Sequence, residues 1–191
     1  TETIVQLDRA LSEKTVIFMD AYATSTNATA ARLRRPQRLV GYGIVSSLEN
    51  QRVVEIVDGD STDEDALALA EEVFAALGKR TMLVGDSAAL FLGRILGSIV
   101  NEAVYAVQDG VASAQDVDIA MRLGTNYPLG PVAWGREIGA ARIARILMRL
   151  ANAEGMQYGP ARALWVLDAP PSSELPEEEV QIKEPIAEPY A

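Results

Sequence analysis

The 191-residue sequence contains no cysteine and no histidine. Without cysteine there are no disulfides, no thiolate metal ligands and no cysteine nucleophile. Without histidine the usual neutral-pH general base and the commonest metal ligand are both missing. Serine–histidine and cysteine–histidine catalysis are therefore excluded within this chain, and no metal site is expected. Basic residues are also short: 17 Lys and Arg stand against 27 Asp and Glu, for a formal net charge of −10. No basic stripe runs along the chain, so nucleic acid is not an expected partner. Uninterrupted apolar runs are lacking as well. The most apolar stretch, SAALFLGRILGSIVNEAVYAV, is broken by Arg94, Asn101 and Glu102, which argues against a bilayer span. The amino-terminal TETIVQLDRALSEK is charged and amphipathic, unlike a signal peptide. A cytoplasmic protein without a membrane partner is expected.

Apolar residues are plentiful, at 49% of the chain, enough for a sizeable core. Much of the acidity sits at the end: residues 168–191 carry seven acids, one lysine and five prolines without apolar periodicity, a composition typical of an extended or disordered tail. Before it, the first half alternates. Ile4, Leu7 and Leu11 have helical spacing, and TVIFM (Thr15–Met19) reads as a strand. A short helix is expected to open at Asn27. RLVGYGIV (Arg38–Val45), RVVEIV (Arg52–Val57) and TMLVGD (Thr81–Asp86) read as strands. Between the last two, Thr62 is the expected N-cap of a helix whose apolar face is Ala66, Leu67, Ala70, Val73, Phe74 and Leu77, ended by Gly78. Strand, helix, strand text implies an α/β layer of four strands.

The second half is helical. One helix is expected over Ser87–Gln108, a second is capped by Ser113, and a third runs from Ile138 to near Gly155. Ala89, Gly93 and Gly97, spaced by four, leave one face of the first nearly bare. Each mid-helix glycine costs roughly 1 kcal/mol against alanine, so that face predicts a close crossing. The connector GTNYPLGPVAWGREIG (Gly124–Gly139) is expected to be a stiff corner. Pro128 and Pro131 restrict its backbone, Gly124 and Gly130 permit its turns, and Trp134 anchors it. Asp116 and Asp118 read as helix-start acids rather than a metal pair.

One stretch, GYGIVS (Gly41–Ser46), approaches a dinucleotide fingerprint. That motif needs a strand, a glycine turn and then a helix N-terminus. These glycines sit inside strand text instead, where a bulge or close packing explains them better. No cofactor-binding residue is assigned.

The helical half carries a stronger signal. Gly93-Arg94, Glu102-Ala103, Gly110, Asp118, Ala120-Met121, Gly130-Pro131 and Trp134 occur in an ordered series. It resembles the C-terminal domain of 3-hydroxyacyl-CoA dehydrogenases, and is most similar to the last repeat of the long two-repeat enzymes of phenylacetate breakdown. Upstream, RPQRLVGYGIVSSLENQRVVEIVDGD and ALGKRTMLVGD resemble the end of the family's nucleotide-binding domain. The resemblance implies a Rossmann-like α/β remnant lacking the dinucleotide fingerprint over residues 1–86. An all-α C-terminal dehydrogenase-like domain over 87–167 and the acidic tail over 168–191 would follow.

It also implies a reaction, the NAD-dependent oxidation of a 3-hydroxyacyl-CoA. A histidine takes the hydroxyl proton while hydride leaves C3 for NAD. A glutamate twelve residues later orients it, and an asparagine in the long helix assists. Glu55 stands at the glutamate position and is the candidate catalytic residue; otherwise it reads as a strand residue on a solvent-facing side. The residue twelve before it is Gly43, and the asparagine position is Gly93. The reading this favours is a non-catalytic dimerisation or scaffold portion, partnered by a second copy or by a partner dehydrogenase chain. The connector would then shape a dimer or interdomain surface, the alternative being a loop that touches acyl-CoA. An active dehydrogenase with an unusual residue set and a non-catalytic acyl-CoA-binding module are the alternatives.

Overall fold

In a computed structural model, which describes residues 1–22 and 24–168, four strands form one mixed sheet in the order β1-β2-β3-β4. They are β1 (Ile17–Asp20), β2 (Leu39–Gly43), β3 (Val53–Asp58) and β4 (Arg80–Gly85). β1 pairs parallel with β2, β2 antiparallel with β3, and β3 parallel with β4. Both parallel connections cross over through helices, α2 (Thr26–Ala30) and α3 (Glu64–Ala76), as parallel pairing requires. α1 (Glu2–Ala10) precedes the sheet. The helical half consists of α4 (Leu90–Gln108), α5 (Ala114–Thr125), α6 (Pro131–Ile138) and α7 (Ala140–Glu154), followed by two short 3-10 turns.

The four strands and the capping of α5 by Ser113, whose hydroxyl accepts from the Asp116 amide at 3.1 Å, match the expectations. Other details differ. The α3 N-cap is Asp63; Thr62 instead donates its hydroxyl to the Leu39 carbonyl. Val73 and Leu77 are exposed, and only Ala66, Ala70 and Phe74 are buried, because α3 covers the sheet on one narrow stripe. The stiff connector hides a whole helix, α6: Gly130-Pro131 reads as loop text, yet proline at the first helical position is pre-shaped for a helix start. Gly130 is there for closeness, since a Cβ would collide with Asp118. Asp118 is not a helix-start acid: its carboxylate accepts from the Val132 and Ala133 amides at 2.7 and 3.0 Å, capping α6. The positive-φ residues of the corner are Asn126 and Gly139, not Gly124 or Gly130. Trp134 is half-buried, packed on Tyr127 with ring centroids 5.3 Å apart. The tail reading for 169–191 lies outside the described residues.

The bare face of α4 is filled from within the chain. Gly97 meets Ile146 and Leu147 of α7, and Gly93 meets the ring of Tyr22. Ala89 is the N-cap, at φ 61°, and lies before the helix. That face is therefore no dimer surface. Among the described residues, α4 is the one helix long and apolar enough to cross a membrane. Its Val100 and Val104 are buried in the main core with Ile143, Leu147 and Leu150 of α7.

A buried ion pair fastens α1 to the sheet. Arg38 lies 3.0 Å from Asp8, and its guanidinium also donates to the carbonyls of Asp8, Ser12 and Thr15. Burial pushes the Asp8 carboxyl up, but the Arg34 amide and the Arg38 guanidinium outweigh it and hold it below the usual carboxylate range. A depressed folded value means that this stabilisation is complete above the unfolded value of about 3.9. It is lost as pH falls through the lower folded value. Urea midpoints measured from pH 6 downward should therefore fall more steeply below about pH 4 in wild type than in Asp8→Asn.

Candidate functional site

Glu55 lies on β3, between β2 and β4, and four successive residues of that strand, Val54–Val57, are buried, so both of its faces are covered. Its exposure is 0%. This corrects the solvent-facing reading: the alternation in VVEIV has no polar side here, because a central strand is packed on both faces. The Glu55 carboxylate accepts the Phe91 amide at 2.7 Å and the Leu92 amide at 3.1 Å. Those are free donors of the first turn of α4, whose own N-cap, Ala89, offers no side-chain acceptor. Glu55 thus caps a helix from across the fold, at its positive end.

The other Glu55 oxygen accepts the Tyr22 hydroxyl at 2.6 Å. Tyr22 follows β1 in the chain and is 1% exposed. Its ring stands where two side chains are missing. A Cβ built on Gly43 would lie 2.9 Å from Tyr22 Cζ and 3.0 Å from Glu55 Oε2. A Cβ built on Gly93 would lie 2.8 Å from Tyr22 Cδ1. Burial first, then the adjacent Glu55 carboxylate, push the Tyr22 phenol far above its ordinary value. It stays a neutral donor across the physiological range and does not serve as a base.

The segment bearing Tyr22 is clamped. Arg142 of α7 donates to Asp20 at 2.9 Å and to the Ile44 carbonyl, and lies 5.6 Å from the Tyr22 ring centroid. Two turns later Arg149 donates to the Ala21 carbonyl at 2.5 Å and lies 3.5 Å from Asp86. Asp86 in turn accepts from the Ser25 hydroxyl at 2.6 Å and the Asn27 amide at 2.8 Å. Beside this block a groove of ≈ 350 Å³ opens between the β2–β3 loop, α4 and α6, lined by Val45, Asn50, Leu96 and Trp134.

Glu55 was legible in the sequence as a candidate; Tyr22 was not. A lone tyrosine after a strand carries no periodic signal. The one available hint was a glutamate needing a donor where an imidazole was absent. The near-fingerprint glycines do not fit a dinucleotide. Gly41 and Gly43 lie within β2, with no helix N-terminus after them, and the space at their α-carbons is filled by Thr26 and Val57 or by Tyr22 and Leu90. The carboxylates of Asp116 and Asp118 serve different partners, Asp116 accepting the Ser113 hydroxyl and Asp118 the Val132 and Ala133 amides.

A mixed sheet followed by a helical unit, with a buried strand glutamate at the start of the long helix, is the arrangement to be matched. Residues 1–87 match the NAD binding domain of 3-hydroxyacyl-CoA dehydrogenase, and residues 91–171 match the C-terminal domain of the same enzymes. The chain belongs to the 3-hydroxyacyl-CoA dehydrogenase family.

Among its relatives, the 3-hydroxyadipyl-CoA dehydrogenase of Escherichia coli is 35% identical over 150 residues, covering 78% of this chain and 30% of that protein. A probable 3-hydroxybutyryl-CoA dehydrogenase of Bacillus subtilis is 32% identical, covering 86% of this chain and 58% of that protein. The crystal structure of FadB2 from M. tuberculosis superposes with a TM-score of 0.77 at 26% identity, over 85% of this chain and 58% of that one. The chain thus spans less than two thirds of the length of each of these relatives.

Proposed function

We propose that this chain is a non-catalytic portion of a 3-hydroxyacyl-CoA dehydrogenase-type protein, serving packing and dimerisation in a cytoplasmic, CoA-ester-linked setting. The observation that carries the reading is local. The position twelve residues before Glu55, where the family resemblance implies the proton-accepting histidine, is Gly43, and the carboxylate of Glu55 is committed to two helix amides and a neutral phenol. A carboxylate sealed at 0% exposure with all its partners internal has no route to a substrate hydroxyl. Glu55 is therefore a positioning residue of the fold.

The surface that supports assembly is the outer side of the helical unit. α5 has no buried residue, and its Ile119 and Leu123 are exposed, Leu123 at 72%. Phe91 and Ile95 are exposed on α4. An apolar groove of ≈ 390 Å³ lies between Ile99, Ala103, Val117, Met121 and Pro131. α5 meets its own core through the half-buried Ala114 and Val117, which leaves its exposed Ile119 and Leu123 to take apolar contacts from another chain. The occupant we assign is a second copy, with a partner dehydrogenase chain as the alternative outcome. Sedimentation velocity of the purified chain is expected to give a dimer that Leu123→Glu dissociates. A monomer at all concentrations overturns the assembly role.

Acetoacetyl-CoA-dependent oxidation of NADH by the same protein is expected to stay at background. Turnover above background, lost in a Glu55→Gln protein shown to remain folded, would establish the active-dehydrogenase reading in its place. Heat on titrating CoA esters would establish the acyl-CoA-binding one.

A further inference from the structure

We propose that Tyr22 is a plug: one phenol ring fills the space that side chains at positions 43 and 93 would both require, and its removal leaves a phenol-binding cavity ending on the Glu55 carboxylate. Three observations converge on this. The ring edge lies within 3 Å of the positions where Cβ atoms on Gly43 and Gly93 would stand. The hydroxyl reaches the carboxylate at 2.6 Å, so the ring is held at its far end by a charge-assisted hydrogen bond. The ring face lies under the Arg142 guanidinium, at 5.6 Å.

The surroundings are stiff. Leu90, 1% exposed, reaches to 2.8 Å from the same Gly43 position. Arg142 holds Asp20 and the Ile44 carbonyl, and Arg149 holds the Ala21 carbonyl, so the backbone on either side of the ring is tied to α7. Such a wall collapses poorly, and poorly collapsing walls leave cavities rather than refilled cores. The ligand class follows from the lining: a flat aromatic ring, bearing one hydroxyl donor at its end to meet Glu55. An aromatic ring without a hydroxyl leaves the carboxylate short of one partner, which is costly in a buried site.

The plug deepens the non-catalytic reading, but its test measures stability and ligand binding alone. The NADH assay and this test can therefore fail independently. The experiment is thermal melting of the purified full chain with Tyr22→Gly, with p-cresol and toluene as probes. The variant is expected to melt about 10 °C below wild type. p-Cresol should restore several degrees saturably, toluene clearly less, and neither should move wild type. Equal response to both probes, or to neither, overturns the cavity.

A second variant covers the case in which Tyr22→Gly does not fold. Gly93→Ala, inside α4, would ordinarily raise the melting temperature, because alanine is the better helix former. With the ring in place, its methyl meets Tyr22 Cδ1 at 2.8 Å, and the melting temperature is expected to fall. A rise contradicts the plug.

Discussion

Arg38→Ala is expected to lower the free energy of unfolding by about 3–5 kcal/mol, read from urea denaturation. Arg38 is 4% exposed and Asp8 1% exposed. The guanidinium satisfies the Asp8 carboxylate and the backbone carbonyls of Asp8, Ser12 and Thr15, the two Asp8 contacts being buried. Deleting it leaves a carboxylate in a dry site, and the desolvation cost falls on that unpaired charge. It also removes one of the ties on α1, leaving the apolar contacts of Ile4 and Leu11 and the Arg34 amide bond to Asp8. The contrast is Arg32, which pairs with Glu2 at 3.0 Å but with side chains 52% and 67% exposed. Arg32→Ala is expected to change stability by no more than about 0.5 kcal/mol, because exposed pairs gain little over water. If the two variants lose equal stability, the pairing account of α1 is wrong.

Glu55→Ala is the second large effect, roughly 3–5 kcal/mol, since bonds to a charged acceptor are worth ~1.5–3 kcal/mol each and do not add fully. Three donors lose their acceptor at once: the Phe91 and Leu92 amides and the Tyr22 hydroxyl. The first two belong to α4, and α4 packs against α6 and α7, so the loss spreads from one helix end into the main core. Glu55→Gln should cost less. Its amide oxygen replaces one acceptor, while its NH2 group is aimed at a donor. The ordering wild type, Gln, Ala in unfolding free energy checks the capping role. A Glu55→Ala protein as stable as wild type would show that Glu55 does not hold α4.

Secondary structure was largely legible because it follows from periodicity. The strands at Ile17–Asp20, Val53–Asp58 and Arg80–Gly85 are short apolar runs bounded by turns, and α7 is an apolar stripe on Ile143, Ile146, Leu147 and Leu150. What stayed hidden is what the third dimension supplies. Glu55 and Asp118 each cap a helix remote in sequence, and no local capping signal announces a carboxylate arriving from another element. α6 hid behind its own start signal, since Gly-Pro ends one element as readily as it begins another. The bare glycine face of α4 did predict close packing, and Gly97 delivers it against α7. Gly93 faces a tyrosine because the loop after β1 is pinned there by Arg142 and Arg149, a relation that spans more than a hundred residues.

Positions 22, 43 and 93 share one volume. A double-mutant cycle on unfolding free energy tests it most directly, with Gly43→His, Tyr22→Ser and the two combined. Gly43→His alone places a side chain into the Tyr22 ring and Leu90, and is expected to cost at least the upper end of the ~1–3 kcal/mol typical of overpacking. In Tyr22→Ser the imidazole gains room beside Glu55, and the same substitution should become neutral or stabilising. That would be a coupling of about 2 kcal/mol or more. Additive costs, within the usual ~0.5 kcal/mol of independent sites, would mean that Tyr22 does not occupy the place of the missing histidine.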